Sequence, residues 1–282
     1  MLLDENDALS RHALSRAVLW LEITALVGDD RGMSPEAPTT PRARARAQFQ
    51  ADLLAAARTR IAADGAAQLS LRAVARDLGV ASSAVYRYVE SRDALLTLLI
   101  VEAYDDVASA CEAARTSSVA AGVTPGEGWL AVGRAFREWA VAHRHSFELI
   151  YGTPVPGYAA PQQTVPHAAR VWAVIAGPVI DAAVRGELGP AAADEHADGL
   201  VDPGVLAIAD GLLTGDGSPA VLLDAEAAPA LVVRSLTLFE TLVGAVSAEL
   251  FGHLHNVTTS TARAFDVTLA HAGAGVGLRV AV

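Results

Sequence analysis

Residues 70–89 read Ser70-Leu71-Arg72-Ala73-Val74-Ala75-Arg76-Asp77-Leu78-Gly79-Val80-Ala81-Ser82-Ser83-Ala84-Val85-Tyr86-Arg87-Tyr88-Val89. This spacing predicts two short helices joined by a tight turn. Ser70 stands where a hydroxyl can cap a free backbone N–H of the first helix. Leu71, Val74 and Leu78 then fall at i, i+3 and i+7, one apolar stripe of a 3.6-residue period. Gly79 follows the last apolar residue and suits the left-handed position that ends a helix. Val80 can plug the core beneath the turn. Ser82 is a second candidate cap, with Val85, Tyr88 and Val89 forming the buried side of the second helix.

The outward side of that second helix is chemically specific. Ser82, Ser83 and Ala84 occupy its start, the part that meets base edges in a helix-turn-helix. Short hydroxyls serve several bases, and an alanine methyl suits a thymine methyl. Tyr86, Arg87 and Tyr88 fit phosphates, which position a protein without reading sequence. Ser91 can cap the next helix and place its N–H groups, with Arg92, against a phosphate. Ser70 joins this candidate DNA-facing set, as do Arg42 and Arg44. Cations at a helix N-terminus are disfavoured by the dipole, so Arg42, Arg44 and Arg46, just after Thr40-Pro41, suggest a basic arm reaching DNA. The competing expectation is a helical hairpin with packed aromatics and solvated arginines.

Charge argues for DNA. Residues 41–100 carry nine Arg against five Asp and Glu, a net +4 inside a chain of −11, which leaves −15 elsewhere. A basic unit on an acidic body is the electrostatic footprint of a DNA reader with a separate sensing domain. Every basic residue is Arg; the sequence has no Lys.

The run from Phe49 to Leu96 resembles the N-terminal domain of the TetR family of bacterial transcriptional regulators. The carriers are Ala57, Ile61, Gly65, Leu71, Val74-Ala75, Leu78-Gly79-Val80, Val85-Tyr86-Arg87-Tyr88-Val89, Ser91-Arg92 and Leu95-Leu96. Ala81 and Tyr88-Val89 depart from the family's commoner Ser or Thr and His-Phe. The body of the chain resembles the WHG-type C-terminal ligand-binding domain of some actinobacterial TetR-like regulators. The carriers there are Phe136-Arg137-Glu138-Trp139-Ala140, His143, the run Phe147 to Pro154, Gly244-Ala245-Val246-Ser247 and Glu249-Leu250-Phe251-Gly252-His253. Leu242-Val243 stand in place of the Trp-His of that name.

The fold expected is all-α, with 1–40 an N-terminal extension and linker. Residues 41–90 would form a three-helix helix-turn-helix DNA-binding domain. Residues 91–282 would form a larger helical effector-binding and dimerisation domain. Thr40-Pro41 marks a helix start, with Phe49, Leu53, Ala57 and Ile61 as its buried stripe and Asp64-Gly65 as its end. The next long helix is expected from Ser91 to about Arg115, with a break over 117–128. Further helices are expected over 127–144, from Ser146 as a cap, and over 166–186, 203–213 and 229–255. The Gly- and Ala-rich tail after Asp266 reads as prone to fray.

Enzymatic chemistry has no constellation to stand on. No Gly-x-Ser-x-Gly elbow, phosphate loop or His-Glu-x-x-His occurs. Gly273, Gly275 and Gly277 lack the strand and helix of a dinucleotide site. His143 with His145, and His253 with His255, are spaced i, i+2, which turns them to different sides of a helix. No metal and no cofactor are expected. Cys111 is alone, so no internal disulfide forms. The apolar run 17–27 is too short to span a bilayer and follows acidic residues, so neither export nor a membrane is expected, and the location is cytoplasmic.

In the body, Trp139, Phe147, Tyr151, Trp172 and Phe239, with His143, are either core or the wall of an apolar pocket. The resemblance implies a homodimer built on 166–186 and 229–255. It also implies a palindromic double-stranded DNA operator and a small apolar effector that releases a repressor. The alternative is a helical small-molecule-binding protein or enzyme whose helix-turn-helix only packs. A third reading is an architectural DNA-binding dimer without a ligand.

Overall fold

The computed structural model describes residues 40–191, 194–206 and 228–281. The expected extension 1–40, apart from Thr40, and most of the expected helix 203–213 lie outside these residues. Among the described residues the regular structure is helical, without strands: α1 (Pro41–Asp64), α2 (Leu71–Asp77), α3 (Ser82–Val85), α4 (Arg92–Ala120), α5 (Pro125–Ala142), α6 (Arg144–Tyr151), α7 (Val165–Val184), α8 (Ala228–Leu250) and α9 (Thr261–Gly275). The chain divides into two compact units. One, the reading unit, takes in the described residues up to Asp106 together with Ala140–Thr164. The other, the body, takes in Val107–Trp139 and the chain from Val165 onward.

The reading unit is built on the stripe expected of α1. Leu53, Ala57 and Ile61 are buried with Leu71, Val74, Ala75 and Val85 of the following helices and with Leu95, Leu96 and Leu99 of α4. The Thr40 hydroxyl accepts from Ala43 N at 3.1 Å and Pro41 opens the helix. Arg42 and Arg44 therefore lie on the first turn of a helix rather than on an extended arm. Gly79 has φ +66°, a conformation strained for any side chain, and turns the chain sharply from α2 toward α3. The cap of α3 is extended Ala81 rather than Ser82, which is the first helical residue. Ser70 holds the cap position of α2 but makes no side-chain cap bond.

A later stretch of chain completes this unit. Helix α6 packs on α1. Its cap position is His143 rather than Ser146, and the ring of Phe147 is fully buried. Beyond α6, Val155 and Tyr158 pack against the same core as the helix-turn-helix.

In the body, α8 packs against both α7 and α9. Trp129 of α5 is fully buried and its indole N–H donates to Leu269 O at 2.8 Å. Arg137 meets Glu249 through two bonds of 2.6 Å, and Arg134 meets Asp266 through two of 3.0 Å. These pairs join α5 to α8 and α9. Arg234, at 8% exposed, binds Asp194 and donates at 2.9 Å to the carbonyls of both Gly189 and Val276.

Helix α4 runs to Ala120, and the break after it is only 121–124. The tail expected to fray is helix α9. The Ser260 hydroxyl caps it, and Phe265, Leu269 and Gly273 are buried. A methyl group at Gly273 would stand 2.7 Å from Val280 and 2.9 Å from Trp129. The small residues of the tail therefore serve close packing.

Candidate nucleic-acid interface

The surface of the helix-turn-helix follows from which side chains the head has already engaged. Ser83, Tyr86 and Arg87 are exposed, Tyr86 by 50%, while Ser82 and Ala84 are half-buried. Val85, the fourth residue of α3, is fully buried and turns those neighbours outward. The helical segment ends at Val85, with Tyr86, Arg87 and Tyr88 in turns beyond it. Ser70 is exposed at the other end of the motif.

Tyr88 differs from Tyr86. Its ring lies 4.4 Å from that of Phe49, tilted by 33°, and Arg46 sits over it at 5.7 Å. An aromatic held between a core ring and a guanidinium is a packing element that fixes the segment after α3. Arg92 is also turned inward. Its guanidinium donates to Ala66 O at 3.2 Å and to Ala67 O at 3.1 Å, and pairs with Asp93 at 3.2 Å. The cap expected of Ser91 is present, its hydroxyl accepting from Ala94 N at 3.0 Å.

Ion pairing sorts the remaining arginines. Arg60 forks onto Asp77 at 2.5 and 2.6 Å and also reaches Asp64, holding the Asp77 carboxyl below its usual range. Arg58 is closed on Glu102. Among the described residues Arg42, Arg72, Arg76 and Arg87 are exposed and form no salt bridge, although the Arg76 charge helps to lower the Asp77 carboxyl. Arg72 and Arg76 lie outside the DNA-facing set expected from the sequence. Their i, i+4 spacing on α2 is the signal that marks them, because it places both on one helix face.

The expected effector residues divide between the units. Trp139, Trp172 and Phe239 belong to the body; His143, Phe147 and Tyr151 belong to the reading unit. Trp139 is buried, its ring 6.4 Å from that of Phe136. Trp172 and Phe239 are half-buried, and among the described residues no partner meets the indole N–H of Trp172. Tyr151 stacks between Phe147, at 5.4 Å, and Tyr104, at 6.1 Å. His143 is exposed. A cleft of about 30 Å³ in the reading unit is lined by Arg58, Ile61, Leu99, His145, Ser146 and Leu149. One of about 10 Å³ in the body lies beside Arg115 and Asp181. Neither admits a drug-sized molecule, which needs roughly 300 Å³ or more. No cluster of three or more metal-ligating side chains occurs among the described residues.

Comparison with known proteins decides the family. The family model for bacterial regulatory proteins of the tetR family matches residues 53–99, and that for tetracyclin repressor-like C-terminal domains matches 129–272. The chain belongs to the tetR family. The HTH-type transcriptional regulator Rv1816 of Mycobacterium tuberculosis is 38% identical over 225 residues, covering 75% of this chain and 84% of the relative. The regulator Mb1846 of Mycobacterium bovis matches to the same extent. The crystal structure of SCO4313, described as a regulatory protein, has a TM-score of 0.60 at 31% identity, over 83% of this chain and 98% of the other. A tetR-family regulatory protein from Rhodococcus RHA1 shares the fold alone, with a TM-score of 0.52 at 16% identity, over 81% and 97% of the two chains.

This tetR-family chain is thus a DNA-binding transcriptional regulator with a helix-turn-helix head and a helical C-terminal domain. Its relatives are named as regulators rather than as members of an enzyme family.

Proposed function

We propose that the protein is a homodimeric repressor of a palindromic operator, released by a small apolar effector. The observation that carries this reading is the exposed set Ser83, Tyr86 and Arg87 around a fully buried Val85, with Arg42 and Arg72 also exposed and forming no salt bridge among the described residues. Ser82, Ser83 and Ala84 read base edges, with Ser70 at the rim of the surface. Tyr86, Arg87, Arg42, Arg44, Arg72 and Arg76 hold phosphates. Tyr88 and Arg92 act indirectly, by shaping the segments that flank α3. Residues 41–90 are the DNA-binding domain and 91–282 carry effector binding and dimerisation.

Dimerisation uses α7 and α8, which pack on each other and leave Val184 and Leu236 exposed by 50% and 40%. Both helices are long and apolar enough to cross a membrane, and 50% and 39% of their most apolar windows are buried within the protein. That burial supports a cytoplasmic core role without a membrane. Two heads on a dimer would reach successive major grooves about 34–36 Å apart, or a multiple of that.

Within the body, the effector engages Trp139, Trp172 and Phe239. It shifts DNA affinity only as far as it prefers another conformer over the DNA-binding one.

The test is selection of bound sequences from random duplex DNA by the full chain. The reading expects an inverted repeat bound far more tightly than random DNA at physiological salt. Equal affinity for the two would sink it.

A further inference from the structure

The stretch Gly152-Thr153-Pro154-Val155-Pro156-Gly157-Tyr158 lies inside the match to the C-terminal domain, yet it folds into the reading unit. Its end is a tight turn. Tyr158 N donates to Val155 O at 3.1 Å, with Pro156 second and Gly157, at φ +76°, third. Proline at that place and a glycine of positive φ after it are the signature of a type II turn. The turn brings its first and last residues, Val155 and Tyr158, onto the core that supports the helix-turn-helix.

Tyr158 then meets α4. Its phenol oxygen lies 2.9 Å from the hydroxyl of Thr97, which is 3% exposed. Thr97 already gives its single hydrogen to Asp93 O at 2.9 Å. Thr97 therefore accepts from Tyr158, and the phenol must stay protonated to donate. A phenol is protonated at neutral pH, and burial pushes that of Tyr158 further above its ordinary value. The chain of bonds ends on the first turn of α4. That turn also carries Arg92, which grips the carbonyls of Ala66 and Ala67, and follows α3 by a few residues. The start of α4 thus has two tethers, one to the turn before α2 and one to the 155–158 turn.

We propose that Tyr158 is a positioning residue of the DNA reader, fixing through Thr97 the first turn of α4 and with it the pose of α3. This rests on the reading of α3 as the base-contacting helix. Phosphate grip tolerates a loosened pose better than base-edge geometry does, because base-edge bonds carry the sequence information. The hydrogen bond therefore governs discrimination more than it governs attraction.

The test compares full-length wild type, Y158F, T97V and T97S on the duplex selected by the wild type and on a random duplex of equal length. All are held well below their unfolding midpoints, checked by circular dichroism. Y158F and T97V each delete the bond with little change of volume, and T97S keeps the hydroxyl. The expected result is operator binding weakened about 3- to 10-fold in Y158F and T97V, with random-DNA binding within about twofold of wild type and T97S restoring discrimination. An operator-to-random ratio in Y158F and T97V within about twofold of the wild type overturns the proposal. Failure of both to fold overturns it too, because the bond is then structural. A wild type that does not discriminate overturns the DNA-reader reading itself.

Discussion

In the body, Arg137 is engaged internally with Glu249, Arg134 with Asp266, Arg115 with Asp181 and Arg234 with Asp194, while Arg185, Arg263 and Arg279 are exposed. In the reading unit, Arg42, Arg72, Arg76 and Arg87 are exposed and form no salt bridge among the described residues. The residue type is the same, and the residues around it differ. For Arg137 and Arg134 the carboxylate comes from a packed helix, and the two-nitrogen fork holds helix to helix. On the head, the carboxylates Asp64, Asp77 and Asp93 are taken up by Arg60 and Arg92, so the outward arginines keep their charge available to an anion. Net charge alone cannot separate these uses. A positive sum over a domain becomes a binding surface only where the structure leaves charges unpaired.

The sharpest way to break this contrast is to remove one arginine from each class. Arg234→Ala strands Asp194 and two backbone carbonyls, and is expected to destabilise the protein by about 3 kcal/mol, read as a shift in chemical denaturation. Ser83→Ala should leave stability unchanged and alter base preference at one operator position by roughly 1–3 kcal/mol, read by competition among operator variants. Arg87→Ala, alone or with Arg72→Ala, should also leave the unfolding transition in place. It should weaken binding to every sequence and flatten the dependence of affinity on salt by about one ion for each phosphate the protein no longer neutralises. A fall in stability in Arg87→Ala comparable to that in Arg234→Ala would erase the distinction.

Acid probes the paired class. The Glu249 carboxyl is held below its ordinary 4.5 by the Arg137 bond, and Asp194 below 3.8 by Arg234. A depressed folded pKa adds stability that is present above the ordinary value and is lost as pH falls through the folded one. Denaturation midpoints should therefore hold steady from neutral pH to about 5 and decline below it, and Glu249→Gln should blunt that decline. The smallest effect concerns Cys111, which is fully buried, its thiol pushed up to about 12 by burial. Native protein should resist alkylation, and the thiol should react only as fast as the fold opens.

Much of the head was legible because its signals are local. Leu53, Ala57 and Ile61 are buried as their spacing requires, and Gly79 takes the left-handed conformation that its place after Leu78 demands. The inward placement of Arg92 and Tyr88 was not legible. Both stand where phosphate partners are expected, and what turns them inward is the arrival of the 66–67 carbonyls and of Phe49 from elsewhere in the chain. Tyr158 carried no signal at all, since Thr97 is 61 residues away. The cap of α3 moved by one residue because Ala81, Ser82 and Ser83 offer adjacent starts and backbone geometry chooses among them.

By itself the sequence determined the helical class, the helix-turn-helix and the basic character of the head, because periodicity, turn chemistry and charge are written in neighbouring residues. Tertiary structure decided which arginines remain open. It also brought 152–158 into the head and made a Gly- and Ala-rich tail into a packed helix. Those outcomes depend on long-range partners, and a linear pattern does not specify which carboxylate, carbonyl or ring will arrive beside a given side chain.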